Sequence, residues 1–260
     1  MNVILLCAGF GTRLYPLTKD RPKPLLPVAG KPIIEILVDQ LASTGRMSDC
    51  LIVTNRRFAE PFKAWRDTIA KRLPTLRFSI LDDGATDNEN RMGAIRDLAL
   101  AVKTCQVSNP TLVSAGDNLL DFDVGEFLDD YAKRPRNLIL TYRETDVDSC
   151  RRTGIAELGD EGRLLRLHEK PSEPPTNLAC PAFYLLQSKT LGLLERFLRE
   201  SPEADAPGHF VAWLASRQRI FTYEMHGRRF NVGNLENYRR AEQWVKAAGP
   251  GFLTGGFGSG

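Results

Sequence analysis

Histidine and cysteine are scarce in this 260-residue chain, at three and five residues. The cysteines, Cys7, Cys50, Cys105, Cys150 and Cys180, are odd in number and widely spaced, with no C-x-x-C. That excludes a disulfide framework and a cysteine-rich zinc site, and it points to small buried thiols in a reducing cytosol. His168, His209 and His226 have no metal-ligand spacing and are read as structural. No apolar run approaches the roughly 20 residues that cross a bilayer. The apolar start, Met1 to Gly9, lacks a charged leader region and reaches glycine too soon for a signal peptide. The expectation is a cytoplasmic protein with no membrane partner. An excess of one charge is missing as well: 35 Lys and Arg face 32 Asp and Glu, a net +3. Sequence-independent binding to a nucleic acid polymer needs a far stronger basic bias.

What is present is an ordinary globular composition, 42% hydrophobic and 26% charged, which rules out disorder and fibrous repeats. A chain of this length buries about 70–75% of its unfolded surface. In the first half, Val3–Cys7, Leu51–Thr54, Leu76–Leu81 and Thr111–Ala115 read as buried strands. They alternate with helical patterns at Ile33–Ser43, Pro61–Lys71 and Arg91–Lys103. The alternation predicts an α/β fold: a doubly wound, mainly parallel sheet in three α/β/α layers. After Gly116 the pattern loosens, with strands at Leu138–Tyr142, Gly154–Glu157, Leu164–His168 and Ala182–Leu186 and helices at Lys189–Arg199, His209–Ser216 and Leu235–Ala247. This is strand-rich material inserted into a doubly wound core.

The informative segment follows the first strand. Gly9 and Gly11 form a turn whose backbone can approach a phosphate closely. It stands at the carboxyl end of a strand, where open α/β sheets place ligands. The dinucleotide fingerprint fails, because its third glycine would fall at Leu14, and no G-K-[ST] follows for a Walker loop. What remains is a glycine turn joined to Arg13, Arg21, Lys23 and Lys31, on a stretch that prolines at 16, 22, 24, 27 and 32 hold extended. Residues 1–34 carry five cations and one acid, a local +4, so the other 226 residues sum to −1. A stiff basic loop over a glycine turn suits a polyphosphate, because arginine offers a planar fork and lysine a point charge.

The run from Gly9-Phe10-Gly11-Thr12-Arg13-Leu14 through Pro22-Lys23-Pro24-Leu25 resembles the signature of the sugar-1-phosphate nucleotidyltransferases, which make nucleoside-diphosphate sugars. The resemblance is dense there and thinner out to about residue 245. It implies a Rossmann-like nucleotidyltransferase fold in one domain, 1–248, with a nucleotide-binding half (1–118), a phosphosugar-binding half with the C-terminal helix (119–248) and a glycine-rich tail (249–260). It implies that Ala8, Gly9, Gly11, Thr12, Arg13 and Lys23 bind the nucleotide, with Arg13 and Lys23 catalytic. Arg13 would stabilise the leaving phosphates and Lys23 the region of the α-phosphate.

Later motifs extend the resemblance. In Gly116-Asp117-Asn118 a carboxylate stands just past a buried strand, where it can hold magnesium or simply make a turn. The family carries its metal-binding Asp in such a G-D step, which implies Mg²⁺ as cofactor and Asp117 as ligand. Arg229-Phe230-Asn231-Val232-Gly233-Asn234 resembles the family's W-x-D-[IV]-G-T, whose Asp is the second ligand. Asn231 stands there instead and would coordinate through its amide oxygen, without charge. Gly154, and Glu169 and Lys170 of Glu169-Lys170-Pro171, match sugar-side elements, with the Glu on sugar hydroxyls and the Lys on the sugar phosphate. Pro181 and Ala182 replace a Thr-Gly step of the relatives. Asn88 and Gly93 fall in the base-reading region, although Asn88 and Asn90 are equally good turn residues.

The implied substrates are a nucleoside triphosphate and a sugar-1-phosphate, with further copies of the chain as partners in an oligomer. Two other readings stay open: a cytidylyltransferase acting from CTP on a phosphorylated amino alcohol or polyol, and a non-catalytic nucleotide- or phosphosugar-binding module. Because the sequence stops soon after the core, the β-helical extension of some relatives is not expected.

Overall fold

A computed structural model of the protein describes residues 1–105, 107–230 and 232–249. Asn231 and all but the first residue of the glycine-rich tail lie outside the described residues. A ten-stranded sheet forms the middle layer. Its parallel part runs Arg77–Asp82, Asp49–Thr54, Asn2–Leu6, Thr111–Ala115. Chain order therefore reverses between the Asn2–Leu6 and Thr111–Ala115 strands. Such a reversal opens a crevice at the carboxyl ends of the two strands, because their connections leave toward opposite sides.

Except for the edge strand Arg77–Asp82, these strands read as largely apolar runs because both faces are covered. Val3 and Leu5 pack with Leu37, Phe62 and Phe127, on the face of the Ile33–Ser43, Ala59–Arg72 and Val124–Lys133 helices. Ile4 and Leu6 pack with Leu98, Phe197 and Phe210, on the face of the Ala94–Cys105, Leu194–Glu200 and Pro207–Ala215 helices. Strand alternation thus divides the core into two apolar layers. The α/β three-layer reading is the architecture found.

The second half continues the sheet mainly with antiparallel pairs. A chain segment bent at Pro181-Ala182 supplies Leu178–Cys180 on one side of the bend and Phe183–Leu186 on the other. Phe183–Leu186 pairs with Thr111–Ala115, and Leu178–Cys180 pairs with Gly154–Leu158. Both halves of the segment also pair with Asn137–Arg143. A third cluster joins Leu14, Leu26 and Val28 of the basic loop to Val232, Ala241 and Val245, near or within the Leu235–Ala248 helix. There Tyr238 Oη donates to the carbonyl of Pro27.

Among the described residues no helix is long and apolar enough to cross a membrane. All five cysteines are free, and four of them are buried.

Candidate functional site

The crevice is built first by the glycine turn. Cys7 N donates to the carbonyl of Val53 (2.8 Å), ending the first strand inside the sheet. Asn55, fully buried, donates from Nδ2 to the carbonyl of Ala8 (2.8 Å) and accepts from Phe58 N at Oδ1 (3.0 Å). One side chain therefore sets the start of the loop. Gly9 is exposed, and the space a side chain would fill there is open, so a ligand can reach the backbone. Gly11 turns through a left-handed conformation (φ 63°), and its carbonyl accepts from Leu14 N and from Thr18 Oγ1 (2.7 Å). Thr12 and Arg13 follow in a short 3₁₀ turn, both exposed. No described side chain pairs with the Arg13 guanidinium.

Asp117 faces this loop across the crevice. Gly116 N donates to the carbonyl of Leu6 (3.1 Å), tying the two loops together. Asn118 Nδ2 donates to Ser114 Oγ and to the carbonyl of Ala182 (2.7 Å), so the Gly-Asp-Asn turn is locked to the bend in the second-half sheet. Lys23 Nζ lies 2.5 Å from Asp117 Oδ2. Burial opposes ionisation of Asp117, but Lys23, and more weakly Arg229, hold its carboxyl below the ordinary aspartate range. The structure thus brings together Ala8, Gly9, Gly11, Lys23 and Asp117. It does not leave the basic set intact: Lys31 pairs with Asp39, which also accepts from Arg72 (2.6 Å), so this lysine braces the Ile33–Ser43 helix.

On the far side, Gly154 sits opposite Glu169 in the antiparallel pair, 3.4 Å from Glu169 Oε2 at its virtual Cβ. Glu169 is mostly buried, and burial pushes its carboxyl up while Lys170 and His209 pull it down. Lys170 has φ 51°, a left-handed conformation that costs a lysine strain, and its exposed ammonium lies 3.7 Å from Glu169. A residue missed in the sequence completes this pocket. Gly208, at the start of the Pro207–Ala215 helix, admits the Glu169 carboxylate, because a Cβ there would lie 1.9 Å from Oε2. Gly208→Ala should displace Glu169. In steady-state kinetics the acceptor's KM should rise about tenfold, the loss of one hydrogen bond to a charged group, with the nucleotide's KM unchanged.

The base-side loop is organised by its own acids and amides. Asn90 Oδ1 accepts from Thr86 N and Asp87 N, so this amide closes a turn, whereas Asn88 is exposed. Gly93 (φ 89°) is buried beneath Asp205, whose Oδ1 would lie 2.3 Å from an added Cβ. Asp97, buried in the first turn of the next helix, has an Oδ1 without a hydrogen-bond partner. Burial first, then Asp83 and Asp205, push its carboxyl up to about 8. The folded protein therefore holds a proton that the unfolded chain releases near pH 4. The stability Asp97 contributes is fully present below about pH 4 and is lost as the pH rises toward 8, by at most about 1.4 kcal/mol per pH unit. Asp97→Asn should abolish that slope in urea unfolding between about pH 5 and 8. An unchanged slope would place the proton elsewhere.

His209 Nδ1 accepts from the backbone of Asp205 and Ala206, and His168 pairs with Glu157, so two of the three histidines have structural partners.

A model of the nucleotidyl transferase family matches residues 2–247. The chain belongs to that family. Among curated members of the nucleotidyl transferase family, the bifunctional protein GlmU of Methanocaldococcus jannaschii is 30% identical over 200 residues, 75% of this chain and 42% of that protein. The UTP–glucose-1-phosphate uridylyltransferase AglF of Haloferax volcanii is 29% identical over 186 residues, 71% of each chain. The chain thus spans about half or less of the length of the bifunctional relatives it matches. A crystal structure of a UDP-glucose pyrophosphorylase complexed with UDP-glucose superposes over 95% of this chain and 99% of its own, with a TM-score of 0.81 at 21% identity. The fold is therefore that of this nucleotidyl transferase group.

Proposed function

We propose that the protein transfers a nucleotidyl group from a nucleoside triphosphate to a sugar-1-phosphate, giving a nucleoside-diphosphate sugar and pyrophosphate. The observation that carries this reading is the crevice. An open glycine turn with an unpaired arginine meets the Lys23–Asp117 pair there, beside a pocket holding Glu169 and Lys170. In the proposed reaction an oxygen of the acceptor phosphate bonds to the α-phosphorus. The bond from that phosphorus to the β-phosphate oxygen breaks, and pyrophosphate leaves with the electron pair. Ala8, Gly9, Gly11 and Thr12 admit the triphosphate, Arg13 faces the departing phosphates and Lys23 offsets charge at the centre. Glu169 accepts sugar hydroxyls against Gly154, and Lys170 meets the acceptor phosphate. Such catalysis is positioning plus charge stabilisation.

The donors suit a magnesium ion carried in on the triphosphate. No group of three His, Cys, Asp or Glu side chains among the described residues forms a metal cage, and Asp117 is a single carboxylate already paired with lysine. Asp117 and Asn231 would hold such an ion, which adds positive charge at phosphate oxygens. Five free cysteines favour a reducing compartment such as the cytosol.

Pyrophosphate release, measured for each common nucleoside triphosphate against hexose 1-phosphates and phosphorylated amino alcohols, tests the proposal. Release with a hexose 1-phosphate supports it. Release only from CTP with a phosphorylated amino alcohol would move the acceptor outside the sugars. Binding without release in every combination would make the protein a sensor.

A further inference from the structure

The Arg228–Phe230 strand pairs antiparallel with Leu119–Asp121, two residues beyond Asp117. Arg229 stands opposite Leu120 in that pair. Its Nε is enclosed and has no hydrogen-bond partner. Burial opposes its charge, but Tyr142, Asp117 and Glu144 favour the charged form. Its own field reaches Cys180 and Tyr184 on either side of the bend in the second-half sheet. Arg229 therefore occupies the space between the Gly116–Asn118 turn and the acceptor-side strands. Lys23 approaches the same carboxylate from the basic loop, so two cations face one Asp.

An enclosed guanidinium nitrogen left without a partner is costly unless a ligand completes the group. The chemistry that completes it is an anion with several acceptor oxygens, to which a planar fork fits well.

We propose that Arg229 is a phosphate-binding residue, a built-in cation that grips the acceptor phosphate beside Asp117. It supplies from the protein part of the positive charge that a divalent ion otherwise brings. This rests on the nucleotidyl-transfer reading of the crevice, but its test needs no turnover.

Inorganic phosphate is titrated calorimetrically into the metal-free, full-length protein. Arg229→Gln should weaken binding at least tenfold, and Arg229→Lys, which keeps the charge, should restore most of it. In parallel, Mn²⁺ is titrated into ligand-free protein and followed by electron paramagnetic resonance. Arg229→Gln should bind Mn²⁺ at least tenfold more tightly than wild type, because Asp117 has lost a competing cation. Unchanged phosphate affinity or unchanged Mn²⁺ affinity in Arg229→Gln overturns the proposal. Should that variant fail to show a native circular dichroism spectrum, Arg229→Lys against Arg229→Met gives the same comparison. Absence of pyrophosphate release from wild type would defeat the transfer reading alone and leave these titrations to be judged separately.

Discussion

Replacing Arg13 by alanine should cut turnover by about 10²–10³-fold, the range seen when one preorganised donor to a developing charge is removed. The fold should not notice. Arg13 is exposed, and its guanidinium pairs with no described side chain, so its loss is a surface change within about 0.5 kcal/mol. Pyrophosphate release and a thermal melt on the same preparation check both halves of this expectation. Arg13→Lys should recover only a part, because an ammonium carries the charge without the fork. If turnover in Arg13→Ala matches wild type, the arginine is a solvated surface group and the leaving phosphates are held elsewhere. A loss of turnover with a matching loss of stability would instead make it structural.

The second large effect concerns the Lys23–Asp117 pair. Lys23→Met and Asp117→Asn should each lower turnover by about 10²-fold or more, and the double variant should lose little beyond either single one, because residues that act as a unit are not additive. The two differ in stability. Lys23→Met leaves Asp117 with Arg229 as a neighbouring cation, and Asp117→Asn leaves the two cations with an amide between them. Each should cost about 1–2 kcal/mol, below the figure for a fully buried pair, since the Asp117 side chain is about a third exposed. The acid response has a defined sign. Asp117 is held below the ordinary range, so the stability it contributes is present above about pH 4 and is lost as the pH falls. In Lys23→Met the carboxyl moves back toward or above the ordinary range, so that loss should shrink or vanish. Urea unfolding at a series of acid pH values measures the shift, and identical acid limbs would mean that Lys23 does not hold the carboxylate.

Elements set by local chemistry are legible in the sequence. Ile33–Ser43 and Thr111–Ala115 have the predicted bounds, since Pro32 and Pro110 precede them and apolar spacing fills them. The helix expected from Arg91 starts at Ala94, because Gly93 turns through positive φ to fit under Asp205. The single helix expected over Lys189–Arg199 is two, Ser188–Leu191 and Leu194–Glu200, with Gly192 at the break. Val124–Lys133 was not anticipated: only Val124, Phe127 and Leu128 of its residues are buried, and a glycine weakens its first turn. Nor was Ile220–Glu224, a strand whose parallel partner is some 80 residues away. The site divides in the same manner. The glycine turn, Lys23 and Asp117 are legible as motifs. Asn55, Gly208 and Arg229 act through neighbours brought by tertiary folding, and their residue types announce nothing. On charge alone Lys31 belongs with the phosphate loop, but Asp39, one helix face away, claims it.

The cluster that joins Leu14, Leu26 and Val28 to Val232, Ala241 and Val245 has a bearing on biosynthesis. Translation delivers the glycine turn within the first dozen residues, yet part of the apolar seat beneath the loop behind it comes from residues made more than two hundred codons later. On the ribosome the parallel sheet can form while that loop still lacks this part of its support. The crevice is finished only when the segment near residue 245 has left the exit tunnel, so a stalled or truncated translation product would carry the whole signature and still have an unseated loop.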